Sequence, residues 1–273
     1  MLLPLSPQVF SLMAALVEGR AGLFYSPSDR ELFASKLSGR ASELGFDALL
    51  DYYYYLRYDP AGDEECDRLI EALVVHETYL FREESALRVL IDHWIAPRVH
   101  AGDRVRLWCA ACATGEEPIT LSVLLAQRDL LGSVQIVATD ISERALARAR
   151  AGEYHKRSMR AVDGSHASLS HLIRAEGDRV VVEPSLVARI DWRQINLIDP
   201  ATMAALGRFD VIVCRNVLIY FRDDMVRQVV TTLANALEPE GVLQVGVSES
   251  LLRFGSALTC KEVCGAFFYE RAT

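Results

Sequence analysis

At the stretch LWCAACATGEEP, residues 107–118, a β-branched and aromatic run, Val105 to Trp108, leads into five small residues, Cys109 to Ala113, then Thr114, Gly115, two adjacent carboxylates and Pro118. A strand that ends in small residues and turns at a glycine into a helix is how a doubly wound α/β sheet opens its ligand edge. Gly115 permits a turn that a Cβ would obstruct, and the small side chains let a ligand approach the backbone. A phosphate cradle would avoid Glu116 and Glu117, because fixed anions repel phosphate. The edge therefore reads as a site for an adenosine-bearing ligand with hydroxyl donors and positive charge, not a pyrophosphate.

Outward from this turn the same texture repeats. VRLWCA, VQIVATD, RFDVIVCR and GVLQVGVS are short β-rich runs separated by helical stretches such as PITLSVLLAQRD and SERALARARAG. That alternation predicts a mostly parallel sheet covered on both faces. Met225, Val226, Val229, Val230, Leu233 and Leu237 form a helical stripe that Pro239 and Gly241 end, and VCGAFFYERAT reads as a last strand. Between about 158 and 190 the pattern breaks. There Gly177-Asp178 signals a hairpin, and a small antiparallel excursion inserted into the α/β domain fits best. Residues 1–75 read as helices only, including one that opens near Ser28 or Asp29 and one from Glu64 to about Val75. The expected organisation is a helical domain (1–75), a linker helix (76–100) and an α/β domain (101–273) carrying the insert.

Composition narrows the function. The chain has 273 residues, 51% hydrophobic and 24% charged, which is ordinary for a globular protein. Its formal net charge of −8 argues against nucleic acid as a partner. A local basic patch can still meet an acidic protein, because net charge is not local charge. Six cysteines include one C-x-x-C, Cys109 and Cys112, but no second pair or His-x-x-x-His follows at zinc spacing. They read as buried free thiols of a reducing compartment, with no metal. The apolar start lacks a basic region and carries Pro4 and Pro7, which favours an amphipathic helix (Val9, Leu12, Met13, Leu16, Val17) over a signal peptide. No apolar run approaches the ~20 residues of a membrane span. A cytoplasmic protein without membrane insertion is expected.

The second strand ends in Asp140, 25 residues after Gly115. An acid at about that separation can accept hydrogen bonds from ribose hydroxyls; the plainer alternative is a residue that caps the next helix. S-adenosylmethionine has a ribose, an amino-acid end and a sulfonium cation but no phosphate, so Glu117 and Asp140 suit it.

Seven segments then fall into a known order. HETYLFRE (76–83), AACATGEEP (110–118), IVATDIS (136–142), ARAGEY (149–154), INL (195–197), FDVIVCRNVLIYF (209–221) and GVSESL (246–251) match the spacing of the chemotaxis receptor methyltransferases. The chain resembles this CheR-type family over nearly its whole length. The resemblance implies a class I S-adenosylmethionine-dependent methyltransferase domain with a helical N-terminal domain and an inserted antiparallel subdomain. It implies methyl transfer to glutamate side chains on the cytoplasmic helices of methyl-accepting chemoreceptors, giving glutamate methyl esters and S-adenosylhomocysteine. By motif match, Thr78 and Arg82 lie over the cofactor, Glu117 meets its methionine portion and Asp140 its ribose, and Asn196 and Leu197 meet the adenine. Arg215 and Asn216 line the methionine side, Arg82 lies near the reacting centre, and Tyr220 faces the acceptor glutamate. His76 departs from the family, which usually has asparagine there; imidazole replaces one amide hydrogen bond but not both.

The residue types agree with that chemistry. A glutamate carboxylate, pKa about 4.3, is already ionised near neutral pH, so no general base is required. Arg82 can hold an anion with its planar fork, and Tyr220 can donate one hydrogen bond; a surface salt bridge and a core tyrosine are the plain alternatives. By the same resemblance, Arg30, Lys36 and Arg40 on the second N-terminal helix are the expected docking face toward acidic receptor helices, the plain alternative being a solvated helix. The insert's loop, RAEGDR, is about three residues shorter than in relatives that grip a C-terminal receptor pentapeptide, so independence from that tether is expected. The competing reading is a catalytically weak regulatory domain that binds S-adenosylmethionine or S-adenosylhomocysteine.

Overall fold

A computed structural model describes residues 2–159, 171–255 and 257–271. The chain divides into two compact units, one of Met1–Val75 with Tyr220–Met225 and the other of His76–Ile219 with Val226–Thr273.

The first unit is built on helices α1 (Pro7–Ala21), α2 (Arg30–Glu43), α3 (Leu49–Tyr58) and α4 (Gly62–Leu73). Ser6 caps α1 through Val9 N–H, and Gly22 closes it at φ 75°. The buried face of α1 is Phe10, Met13, Val17 and Ala21. Leu12, expected inside, is 40% exposed, so the stripe is rotated from the sequence reading. Helix α4 starts at Gly62, not Glu64, because that glycine packs against the end of α3, where a Cβ would come within 2.6 Å of Tyr55 O. Of the tyrosine run, Tyr52 is buried, Tyr53 and Tyr55 are half-buried and Tyr54 is exposed. The expected docking cations are mostly engaged within this unit. Lys36 Nζ donates to Leu73 O at 2.7 Å, and Arg40 holds Glu65 and Glu43, leaving Arg30 exposed.

In the second unit the 76–83 stretch is irregular, and helix begins only at α5 (Glu84–Leu90), continuing through a π-turn, Ile91–Ile95, into α6 (Ala96–His100). The α/β part then runs β1 (Val105–Ala110), α7 (Glu116–Ala126), β2 (Val134–Asp140), α8 (Glu143–Ala151), β3 (Glu153–His155), β4 (Ile173–Glu176), β5 (Arg179–Val182), α9 (Pro184–Val187) and β6 (Ile190–Gln194). It continues with α10 (Pro200–Ala204), β7 (Phe209–Cys214), α11 (Asp223–Ala236, counted in this unit from Val226), β8 (Leu237–Val245), β9 (Leu258–Val263) and β10 (Ala266–Arg271).

Seven strands form one sheet in the order β6-β2-β1-β7-β8-β10-β9. The first five are parallel and β10 is antiparallel to both neighbours. This confirms the doubly wound, mostly parallel α/β architecture. The near-continuous burial of β1 and β7 is what a sheet covered on both faces demands. The chain leaves β1 toward β2 on one side and meets β7 on the other, so the switch point lies between the carboxyl ends of β1 and β7.

Two strands differ from the sequence expectation. Strand β8 already begins at Leu237, and Pro239 and Gly241 lie in its ragged start; its partner β10 pairs only from Val242 onward. Strand β9 has no counterpart in the expected pattern, because LTCKEV alternates weakly. Its hairpin with β10 turns at Cys264 and Gly265, both with positive φ. The antiparallel insert is a separate sheet, β3-β5-β4, that starts at Glu153, and its β4–β5 turn is Gly177-Asp178 as expected. Residues 160–170 of the expected insert lie outside the described residues. The thiols split: Cys66, Cys109, Cys112 and Cys214 are buried, whereas Cys260 is half-exposed and Cys264 exposed.

Candidate active site

The site is assembled where β1, β2, β6, β7 and β8 end. Its backbone is held in costly conformations. Of the seven non-glycine residues with positive φ among the described residues, five lie here: Phe81, Glu83, Ala111, Ala113 and Asn216. Left-handed backbone with a Cβ costs of order 1 kcal/mol per residue and persists only where neighbours impose it.

The turn after β1 shows how that is done. Cys112 N–H donates to Thr139 O at 2.9 Å, and Ala113 N–H donates to Asp140 Oδ2 at 2.8 Å. Gly115, at φ 90°, closes the turn, and a Cβ there would fall 2.6 Å from Ala149 Cβ and 2.9 Å from the Trp192 ring. The glycine is thus required by α8 and β6 packing behind it. Tyr154, from β3, donates to Thr114 O at 2.9 Å and ties the insert to the same turn.

The paired acids have separate fates. Glu116 turns inward, is 2% exposed, and accepts from Thr114 Oγ1 at 2.6 Å; burial pushes its carboxyl up. Glu117 faces Arg215. That guanidinium, with its side chain 1% exposed, donates through Nη1 to Glu117 Oε2 at 2.8 Å and through Nη2 to Glu83 Oε2 at 2.7 Å and Arg82 O at 3.1 Å. One guanidinium is therefore shared directly between two carboxylates. Burial raises the Glu117 carboxyl and Arg215 pulls it back, without cancelling the rise. The buried Nε–H of Arg215 has no hydrogen-bond partner among the described residues.

Asp140, 7% exposed, also accepts from Ser142 N–H at 2.9 Å, while the cap of α8 itself is Ser142. Each of its two oxygens thus takes a backbone N–H. After β6, Ile195 N–H donates to Asp140 O, Asn196 Oδ1 accepts from Ile198 N–H at 3.2 Å, and Leu197 is buried. Arg82 is half-buried, donates through Nη1 to Glu77 O at 3.1 Å and lies 5.6 Å from the centre of the Tyr79 ring. His76 and Thr78 sit half-buried on the same irregular stretch. That stretch is anchored by Phe81 N–H donating to Thr120 Oγ1 and Leu80 N–H donating to Ser158 O. Tyr220 belongs to the helical unit, where its carbonyl accepts from Phe24 N–H.

The structure therefore joins Arg82, Glu117 and Arg215 through hydrogen bonds, and Asp140 to the β1 turn. Two further residues act here that sequence reasoning leaves without a role. Glu83 shares Arg215, and Glu249 accepts backbone N–H groups from the β7 and β8 ends. A single acid in a loop carries no sequence mark of burial; only their places inside HETYLFRE and GVSESL point to them.

The chain matches two family models over most of its length: the CheR methyltransferase SAM binding domain at residues 76–263 and the CheR methyltransferase all-alpha domain at residues 8–74. It is 33% identical over 254 residues to chemotaxis protein methyltransferase 1 of Pseudomonas aeruginosa, covering 89% of this chain and 90% of that protein. It is 32% identical over 247 residues to chemotaxis protein methyltransferase 2 of Vibrio cholerae, covering 89% and 85%. With the chemotaxis protein methyltransferase of Escherichia coli it shares 30% identity over 257 residues, covering 91% and 86%.

Proposed function

Because the chain belongs to the CheR methyltransferase family, we propose that it methylates glutamate side chains on the cytoplasmic helices of methyl-accepting chemoreceptors. S-adenosylmethionine supplies an electrophilic methyl group on a positively charged sulfur, and its transfer makes one C–O bond, breaks one C–S bond and moves no proton.

The observation that carries this reading is the ion cluster at Arg215. Two carboxylates, Glu83 and Glu117, share one guanidinium in a largely dry setting. A buried carboxylate without its own counter-charge costs free energy, and a cationic ligand offsets that cost. The unpartnered Nε–H of Arg215 is a donor for an anionic or carbonyl group of the same ligand. An amino acid bearing a sulfonium presents both signs of charge, and a pyrophosphate presents only the wrong one. The residues fit the cofactor.

In this reading Glu117 accepts from the ammonium of the methionine portion. Asp140 accepts from the ribose hydroxyls, since a carboxylate oxygen that takes one N–H has capacity for a second donor. Asn196 and Leu197 border the adenine, and Arg215 and Asn216 the methionine side. His76 and Thr78 line the approach from the irregular stretch. Arg82 holds the acceptor carboxylate or the methionine carboxylate, and Tyr220 donates to the acceptor. Their contribution is orientation and exclusion of water, which is the main protein term in a transfer that neutralises opposite charges.

The helical domain 1–75 docks the receptor. The two-residue β4–β5 turn supports independence from a receptor pentapeptide, which a titration with that peptide tests: micromolar binding would overturn it. No helix among the described residues is long and apolar enough to cross a membrane, and action in the cytoplasm follows from the receptor face that would be modified.

Radiolabelled S-adenosylmethionine incubated with the purified chain and receptor cytoplasmic fragments tests the function. The expected label is base-labile, as an ester is, and maps to glutamates. A base-stable label contradicts the reading, and product binding with no transfer supports the regulatory alternative.

A further inference from the structure

We infer that Glu249 is a positioning residue for the cofactor edge, setting Arg215 and Asn216 in register from behind the site. The inference rests on the proposed function and extends it to a residue that touches neither donor nor acceptor in that reading.

Strands β7 and β8 are parallel neighbours whose carboxyl ends, Cys214 and Val245, lie in register. The Glu249 carboxylate, on a residue only 6% exposed, bridges the two loops that leave these strand ends. Its Oε2 accepts from Asn216 N–H at 2.6 Å and Gly246 N–H at 2.9 Å, and its Oε1 accepts from Leu218 N–H at 2.8 Å and Ile219 N–H at 3.3 Å. Asn216 sits at φ 60°, a conformation that needs support from outside its own backbone. The carboxylate provides it by gathering the N–H groups of Asn216, Leu218 and Ile219 on one side of the turn.

Glu249 is itself fixed, donating its own N–H to Gly246 O at 2.9 Å. The space is tight: a Cβ on Gly246 would fall 2.7 Å from Glu249 Oε2 and 2.8 Å from Asn216 Nδ2. Four donors converge on one group, so the group must be acceptor-only. A glutamine amide serves two of them with its oxygen and turns an NH2 toward the other two. Generic packing does not require that acceptor count; holding a strained turn in one orientation does.

The test measures S-adenosylhomocysteine affinity by calorimetry on folded protein, alongside thermal unfolding. Glu249→Gln is expected to weaken binding about tenfold or more, as misplacement of a pre-set site does, while unfolding stays a single transition. Gly246→Ala reaches the same junction without changing charge and decides alone if Glu249→Gln does not fold. Val247→Ala, an exposed side chain in the same turn, leaves affinity unchanged. Binding within about twofold of wild type in Glu249→Gln or Gly246→Ala overturns the inference, whatever happens to stability. If the wild-type chain binds no product, the proposed function fails instead. Amide exchange then reads the anchor: Leu218 and Ile219 protected in wild type and unprotected in Glu249→Gln support the positioning role, and equal protection overturns it.

Discussion

Arg40 in the helical unit and Arg215 at the strand ends are both arginines drawn into the protein by carboxylates, yet they are arranged oppositely. Arg40 grips Glu65 with Nε and Nη2 in a two-pronged pair, and Tyr52 donates to the same carboxylate at 2.8 Å. That group is one buried anion, one cation and a hydroxyl, with its second acid, Glu43, on the exposed side. Arg215 is more deeply buried, and each of its two terminal nitrogens holds a different carboxylate. A closed pair secures helix packing. At Arg215 both acids are largely buried, so neither is left to solvent as Glu43 is, and a positive ligand would offset the cost of the second. Burial of both carboxylate partners, more than the presence of an ion pair, separates the two clusters.

The largest expected effect breaks the shared cluster. Arg215→Met strands two carboxylates and should cost about 3–5 kcal/mol in denaturant unfolding as well as product binding. Arg40→Met, measured the same way, should cost about 2 kcal/mol, because part of that guanidinium reaches solvent, and should leave product affinity of the folded protein intact. Equal losses of affinity in the two variants would erase the distinction.

Glu117→Gln sharpens it. Removing a charged acceptor should weaken S-adenosylhomocysteine about tenfold to a hundredfold, with stability unchanged or improved since a buried anion is gone. The same carboxyl gives a pH signature. Burial raises it despite Arg215, and Glu83 adds to the rise while Arg82 opposes it. On acidification it takes up a proton before an ordinary glutamate does, so affinity should begin to fall above the usual carboxylate range. Stability should move the other way, because an acid raised in the folded state contributes stability at low pH that is lost as pH rises. Calorimetry across pH on wild type and Glu117→Gln checks this, the variant giving the flatter profile.

The smallest expected effect concerns docking. With Lys36 and Arg40 held within the helical unit, reversing their charge tests stability as much as docking. Arg30→Glu is the cleaner probe. Methylation of receptor fragments should fall a few-fold, on the scale of one exposed charge, about 1 kcal/mol or less, with cofactor affinity unchanged.

Much of this is legible in the sequence because its signals are local. Strands β1 and β2 are bounded to the residue by β-branched runs that end in small residues or an acid. The Gly115 turn is legible because glycine there answers to sterics. Strand β9 is not, since an edge strand with alternating exposure resembles a loop. Glu83 and Glu249 escape assignment because burial of a lone acid depends on donors distant in the chain. Asn216 shows the same limit from the other side: the sequence marks the residue, while its left-handed backbone is held from 33 positions away.

Calorimetric titration of S-adenosylhomocysteine into the purified wild-type chain tests the central claim most directly, with NAD titrated in parallel. Two largely buried carboxylates sharing one guanidinium at the strand ends predict saturable one-to-one binding of the amino-acid-bearing nucleoside and none of the dinucleotide. No binding of S-adenosylhomocysteine, or tighter binding of NAD, would contradict it.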